Sequence, residues 1–132
     1  MSDHHHAAAE QLLGQVPATR CELLALLETL RAFFSGNAEI DAPVQAVGGH
    51  LLGTIERALG ASLQAPTTFD LTREELFVLT IAAGTMTAPY RAGIPVSREE
   101  ACLYATLSPL MERLLALTRQ IHSDEVQAWH QP

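Results

Sequence analysis

Two stretches of this chain present adjacent carboxylates: Thr72-Arg73-Glu74-Glu75-Leu76 and Ser97-Arg98-Glu99-Glu100-Ala101. Paired carboxylates are the equipment of acid–base hydrolysis, in which one group holds a proton while the other attacks or activates water across a cleft. Neighbours in sequence do not face each other on a helix, so neither pair is set up for that work. Each stretch instead places a Thr or Ser three residues before a Glu. That is a capping box: the hydroxyl accepts from the Glu amide, and the Glu carboxylate reaches back to the cap amide. Acidic residues in a first turn also suit the helix dipole. Both stretches therefore read as helix starts. Beyond the shared cap the residues diverge, "LFVLTIAAG" against "ACLYATLSPL", which reads as one cap used twice rather than as a repeat.

The remaining reactive residues are few. Cys21 and Cys102 have no CxxC or zinc-type spacing, and with apolar neighbours in expected helices they read as buried core thiols. His50 and His122 have no GxSxG, HExxH or ExxH pattern around them. His50 reads as a boundary histidine, and His122 with Asp124 or Glu125 as a solvated helix end. "VGGHLLG" at Val47–Gly53 follows no expected strand, so it is not a phosphate loop. All eight cations are arginine; without lysine there is no Schiff-base or P-loop chemistry. His4–His6 read either as native or as a tag remnant, and nothing nearby completes a metal site. No enzyme activity, metal or cofactor is expected.

The elements that would position these residues can be read from periodicity. The 132 residues suit one domain: a tail over 1–6 and a helical domain over 7–130. "AAAEQLLGQ" suggests a short first helix ending near Gly14 and Pro17. Thr19-Arg20-Cys21-Glu22 is a further capping box, and Leu23, Leu26, Leu27, Leu30, Phe33 and Phe34 then recur at helical spacing. After Asp41 and Pro43, one stripe carries Val44, Val47, Leu51, Leu52, Ile55 and Leu59. Ala46, Gly49 and Gly53 lie on the opposite side, where small residues admit a neighbouring backbone. From Leu76 to Ala88 no charge appears and the apolar residues point in every direction, which predicts a central, buried helix over about 73–88 that ends before Pro89. Leu103, Leu107, Leu110, Leu114, Leu117 and Ile121 form a heptad seam, interrupted by Pro109, where a break or sharp kink is expected.

The expected fold is all-α, a compact bundle of about five helices. A net charge of −7 disfavours nucleic acid and anionic membrane surfaces. No apolar stretch is long enough to span a bilayer, and the chain reads as cytoplasmic. The function expected is that of a non-enzymatic interaction module, a small acidic regulator or adaptor that binds a protein partner or forms a homodimer. Its expected contact residues are Ala46, Gly49, Gly53, Leu110, Leu114, Leu117 and Ile121. The alternative is a bundle that holds a small apolar ligand beside the central helix, with Thr85, Thr87, Tyr90 and Arg91 at the mouth. The structural reading of the last residue is that Arg91 closes its own helix end.

Overall fold

The computed structural model describes residues 12–36, 39–61 and 67–130. In chain order these form β1 (Leu12–Ala18), α1 (Arg20–Gly36), α2 (Ala42–Ala61), β2 (Thr67–Thr72), α3 (Arg73–Arg91) and α4 (Arg98–His130). The described residues are thus mostly helical, with four helices and one two-stranded antiparallel sheet. The expected first helix is not there over its described part, because Leu12–Ala18 is a strand; residues 7–11 lie outside the described residues. The expected loop before α3 likewise holds β2. Each strand is short and one face is buried: Val16 and Ala18 point inward around exposed Pro17, and Phe69 and Leu71 point inward around Asp70. Pro17 is tolerated because a two-stranded sheet consists only of edges.

The chain is built as β-α-α twice. Val16 stands opposite Phe69 in the sheet, and the same 53-residue offset relates Thr19-Arg20-Cys21-Glu22-Leu23 to Thr72-Arg73-Glu74-Glu75-Leu76. Burial obeys the offset: Glu22, Leu23, Ala25, Leu26, Thr29 and Leu30 are buried, and so are Glu75, Leu76, Val78, Leu79, Ala82 and Ala83. Equivalent residues that face each other across an antiparallel pair put a local two-fold axis between the strands. The genuine internal repeat is therefore TRCEL with TREEL, not TREEL with SREEA.

Around that axis α1 and α3 share the centre, and α2 and α4 flank them. The core is aliphatic, with Leu23, Leu26, Leu30, Leu51, Ile55, Leu71, Leu79, Leu107, Leu110 and Leu114 fully buried. The expectation of one central helix is thus corrected in two ways. α3 shares the centre with α1, and it is not buried all round, because Phe77 and Ile81 are exposed. α3 also runs past Ala88 to Arg91, with Pro89 in its last turn. It stops in a Schellman motif: Ile94 N–H donates to the Pro89 carbonyl at 2.9 Å and Gly93 N–H to the Tyr90 carbonyl at 3.1 Å. Gly93 takes the left-handed conformation, φ 79°, that this cap requires.

α4 passes through Pro109 as one 33-residue element, without the expected break. The carbonyl left without a donor belongs to Ala105, which is exposed and so can be solvated. Among the described residues, no backbone of the same chain closely approaches Gly49 or Gly53. Ala46 and Gly49 are exposed with open space beside Gly49, and at Gly53 an added Cβ would meet only the Arg57 guanidinium. Close contact occurs one residue earlier. The Phe34 ring from the end of α1 lies over Gly48, where an added Cβ would fall 2.3 Å from the ring.

The packing around these glycines and caps can be tested by substitution. Gly48→Ala must displace an aromatic ring and should cost about 1–3 kcal/mol. Gly49→Ala, in open space on the same helix, should add about 0.5–1 kcal/mol; opposite shifts of melting temperature in calorimetry would verify the pair. Glu22→Ala removes a buried cap and the partner of Arg113, at a cost of at least about 2 kcal/mol. Glu100→Ala, at the exposed third cap, should change denaturant stability by less than about 0.5 kcal/mol.

Candidate functional site

The strand-to-helix junctions come first, because they hold the grooves in place. In α1, Glu22 N–H donates to Thr19 Oγ1 at 3.1 Å and Thr19 N–H donates to Glu22 Oε1 at 2.9 Å. Thr72 and Glu75 make the same reciprocal pair in α3, at 3.1 and 3.0 Å. Both glutamates are buried, and each meets a basic side chain from the second helix of the other half. Arg113 of α4 donates to Glu22, and His50 Nδ1 of α2 lies 3.1 Å from Glu75 Oε2. The arginine of each junction holds the second helix of its own half: Arg20 donates to the Leu59 carbonyl at 3.0 Å, and Arg73 pairs with Glu125. His50 is therefore committed to a structural carboxylate. The third cap is built differently: Glu100 N–H donates to Ser97 Oγ, whose hydroxyl donates to Glu100 Oε1.

Two grooves flank the central helices. The first, about 640 Å³, lies between the start of α2, the outer face of α3 and the far half of α4. Val44, Val47, Leu76, Phe77, Ile81 and Ile121 give it an apolar floor, with Arg73, Glu74, His122 and Glu125 on the rim. The second, about 680 Å³, lies between α1 and the start of α4; Cys21, Leu24, Glu28, Glu99, Glu100 and Cys102 are among its lining residues. The grooves are equivalents under the internal two-fold. Cys21, Leu24, Ala25 and Glu28 correspond to Glu74, Phe77, Val78 and Ile81. With α2 and α4 aligned at their first residues, Pro43, Val44 and Val47 correspond to Glu99, Glu100 and Leu103.

This correspondence supplies an internal control. Position 28 is an exposed glutamate, so the scaffold does not require an apolar residue there; its equivalent is Ile81, 46% exposed. Glu100 is exposed at the place where the other groove has Val44. Phe77, 64% exposed, enlarges what is Leu24 in the other half. At Phe77 and Ile81 the apolar character of the first groove is therefore not a demand of packing, whereas Leu76 is buried in the core and Val44, Val47 and Ile121 pack against it.

The residues singled out from sequence fare unevenly. Leu110 and Leu114 are wholly buried in their own core and present no contact face, because the heptad seam packs within the chain. Leu117 and Ile121 are half-buried, and Ile121 lines the first groove. Thr85, Thr87, Tyr90 and Arg91 line neither groove. Thr87 is buried and donates to the Ala83 carbonyl at 2.8 Å; Arg91 donates to Thr87 Oγ1 and to the Gly84 carbonyl, closing the helix end. Tyr90 packs on Tyr104, ring centroids 5.9 Å apart. Burial, with a smaller push from Glu100, raises the Tyr104 phenol above its ordinary pKa. Cys21 and Cys102 are exposed, not core thiols, and line the second groove. No group of three or more His, Cys, Asp or Glu residues among those described is placed to hold a metal ion.

Phe77, Ile81 and Val44 line the first groove but are not among the residues singled out from sequence, because their apolarity is there assigned to packed helix faces. The signal that identifies them is the repeat itself, once TRCEL and TREEL are aligned. No protein-family model, curated protein or solved structure matches the chain. No helix among the described residues is long and apolar enough to cross a membrane.

The exposure of both thiols is directly measurable. In native protein, Cys21 and Cys102 should be alkylated by a small maleimide at rates close to those in denaturant. Protection of either thiol by about tenfold or more would contradict the placement.

Proposed function

We propose that this protein is a non-enzymatic interaction module and that the groove on α3 is its docking surface, taking the apolar face of an amphipathic helix from a protein partner. One observation carries the reading: Ile81 is exposed and apolar where the equivalent position of the same scaffold is Glu28. A trough between helices with an apolar floor and mixed charges on its rim matches helix-in-groove recognition, which reads apolar anchors at i, i+3, i+4 and i+7. Hydrophobic patches rimmed by polar residues mark such surfaces. The remaining expected contact residues, Ala46, Gly49 and Gly53, lie outside this groove.

A second reading has support in one quantity. The volume, about 640 Å³, lies within the roughly 300–1,000 Å³ of small-molecule pockets, so an apolar ligand would fit the same floor. Its mouth would then be Arg73 and His122, not the Tyr90–Arg91 end. Native mass spectrometry of freshly isolated protein separates the readings, since only this one expects a bound small mass.

The helix reading is tested by selecting peptides from a random helical library on the whole protein. Enriched sequences should carry an apolar stripe at helical spacing. Ile81→Glu, which installs the residue of the other half, should weaken their binding by about tenfold or more while leaving the helical circular dichroism and melting temperature nearly unchanged. Selection that enriches nothing, or binding indifferent to Ile81→Glu, would count against the groove.

A further inference from the structure

The internal repeat also shows which part of α4 the scaffold does without in its other half. α2 has 20 residues and α4 has 33. Aligned at their first residues, α2 ends at Ala61 where α4 has reached only Leu117, and by Thr67 the first half has passed into β2. Residues 118–130 are thus an extension of the second half alone. The two grooves differ in construction at the same place. Thr118, Ile121, His122 and Glu125 of the extension wall the apolar groove, whereas α1 and the start of α4 line the other one by themselves.

The extension is lightly held. Leu114 is the last fully buried residue of α4, and beyond Leu117 only Ile121 and Glu125 have partly buried side chains among those described. Arg73 pairs with Glu125, both side chains being about half exposed, and an exposed ion pair is a weak tie. The equivalent Arg20 takes the Leu59 carbonyl near the end of α2. α4 does not end at the matching place, so its carbonyls there serve the continuing helix and Arg73 reaches a side chain further on. At the root of the extension, Thr118 Oγ1 donates to the Leu114 carbonyl at 2.9 Å, a bond that competes with the helix ladder and loosens it. Thr106 and Ser108 make the same bond, but there Leu107, Leu110 and Leu114 anchor the helix in the core. Elements with few buried contacts open at the lowest cost, and lids are drawn from them.

Resting on the docking groove proposed above, we infer that residues 118–130 are a lid. This wall opens about Leu114–Thr118, admits an occupant to the floor at Phe77 and Ile81, and closes on it, with Arg73 and Glu125 as its clasp.

Hydrogen exchange of the full chain tests the lid. In free protein, amides of 118–130 should exchange about tenfold or more faster than those of 103–114. Glu125→Gln should speed 118–130 a further two- to fivefold or so and leave 103–114 unchanged, and Arg73→Glu with Glu125→Arg should restore the original rate. A selected helical peptide should slow 118–130 by about tenfold, and it should dissociate faster from Glu125→Gln. An extension as protected as the core, or one indifferent to Glu125→Gln, would overturn the lid. A peptide that binds through Ile81 without protecting 118–130 would also overturn it, and would leave the docking groove standing. If no peptide is enriched, the docking reading falls by itself, and the clasp stands or falls on the Glu125→Gln and charge-exchange comparison.

Discussion

The junction Thr-Arg-x-Glu-Leu, used at Thr19 and again at Thr72, is the constraint on which the rest of the molecule depends. Within five residues it ends a strand, starts a helix and reaches two other helices. The threonine and glutamate satisfy each other's backbone amides, so donors that would be orphaned at a buried helix start have partners. The glutamate then meets the flanking helix of the opposite half, the arginine holds the flanking helix of its own half, and the leucine enters the core. A buried carboxylate is costly unless fully bonded. Here each carboxylate has backbone and side-chain partners, and those partners come from different helices. Local capping is thereby converted into tertiary registration.

The duplication also separates what the fold needs from what it permits. Where both halves bury the same class of residue, as at Leu26 and Leu79, packing is a sufficient account. Where the halves differ on the surface, packing is silent. Glu28 against Ile81 is such a position, and with Phe77 in place of Leu24 it makes one of the two related troughs the more apolar. Exposed apolar side chains are not stabilised by water, so Phe77 and Ile81 on α3 and Val126 and Trp129 near the end of α4 add little to folding.

A good deal of the architecture was legible from residues alone. The caps at Thr19 and Thr72, the stripes of α1 and α2, and the heptad seam of α4 all come from helical period and side-chain reach. The strands were not legible. Val16 and Ala18 around Pro17 make too short an alternation to separate from a loop, and Thr67–Thr72 becomes a strand only because β1 lies beside it. The groove was hidden for a related reason. Phe77 and Ile81 have the same composition as core residues, and periodicity assigns a helix face without saying whether anything covers it. Gly48, rather than Gly49, meets Phe34 because contact depends on helix crossing, which no single-helix pattern encodes.

By itself, then, the sequence determined the helices, their caps, the aliphatic core and the absence of recognisable catalytic and metal motifs, since these are local properties of residue type and spacing. Only the tertiary structure decided that two βαα halves pair across Val16 and Phe69, that Leu110 and Leu114 are used internally, and that one flank of α3 is left open. Those facts depend on which apolar surfaces remain after all the others have been covered, a property of the assembled molecule and of no segment within it.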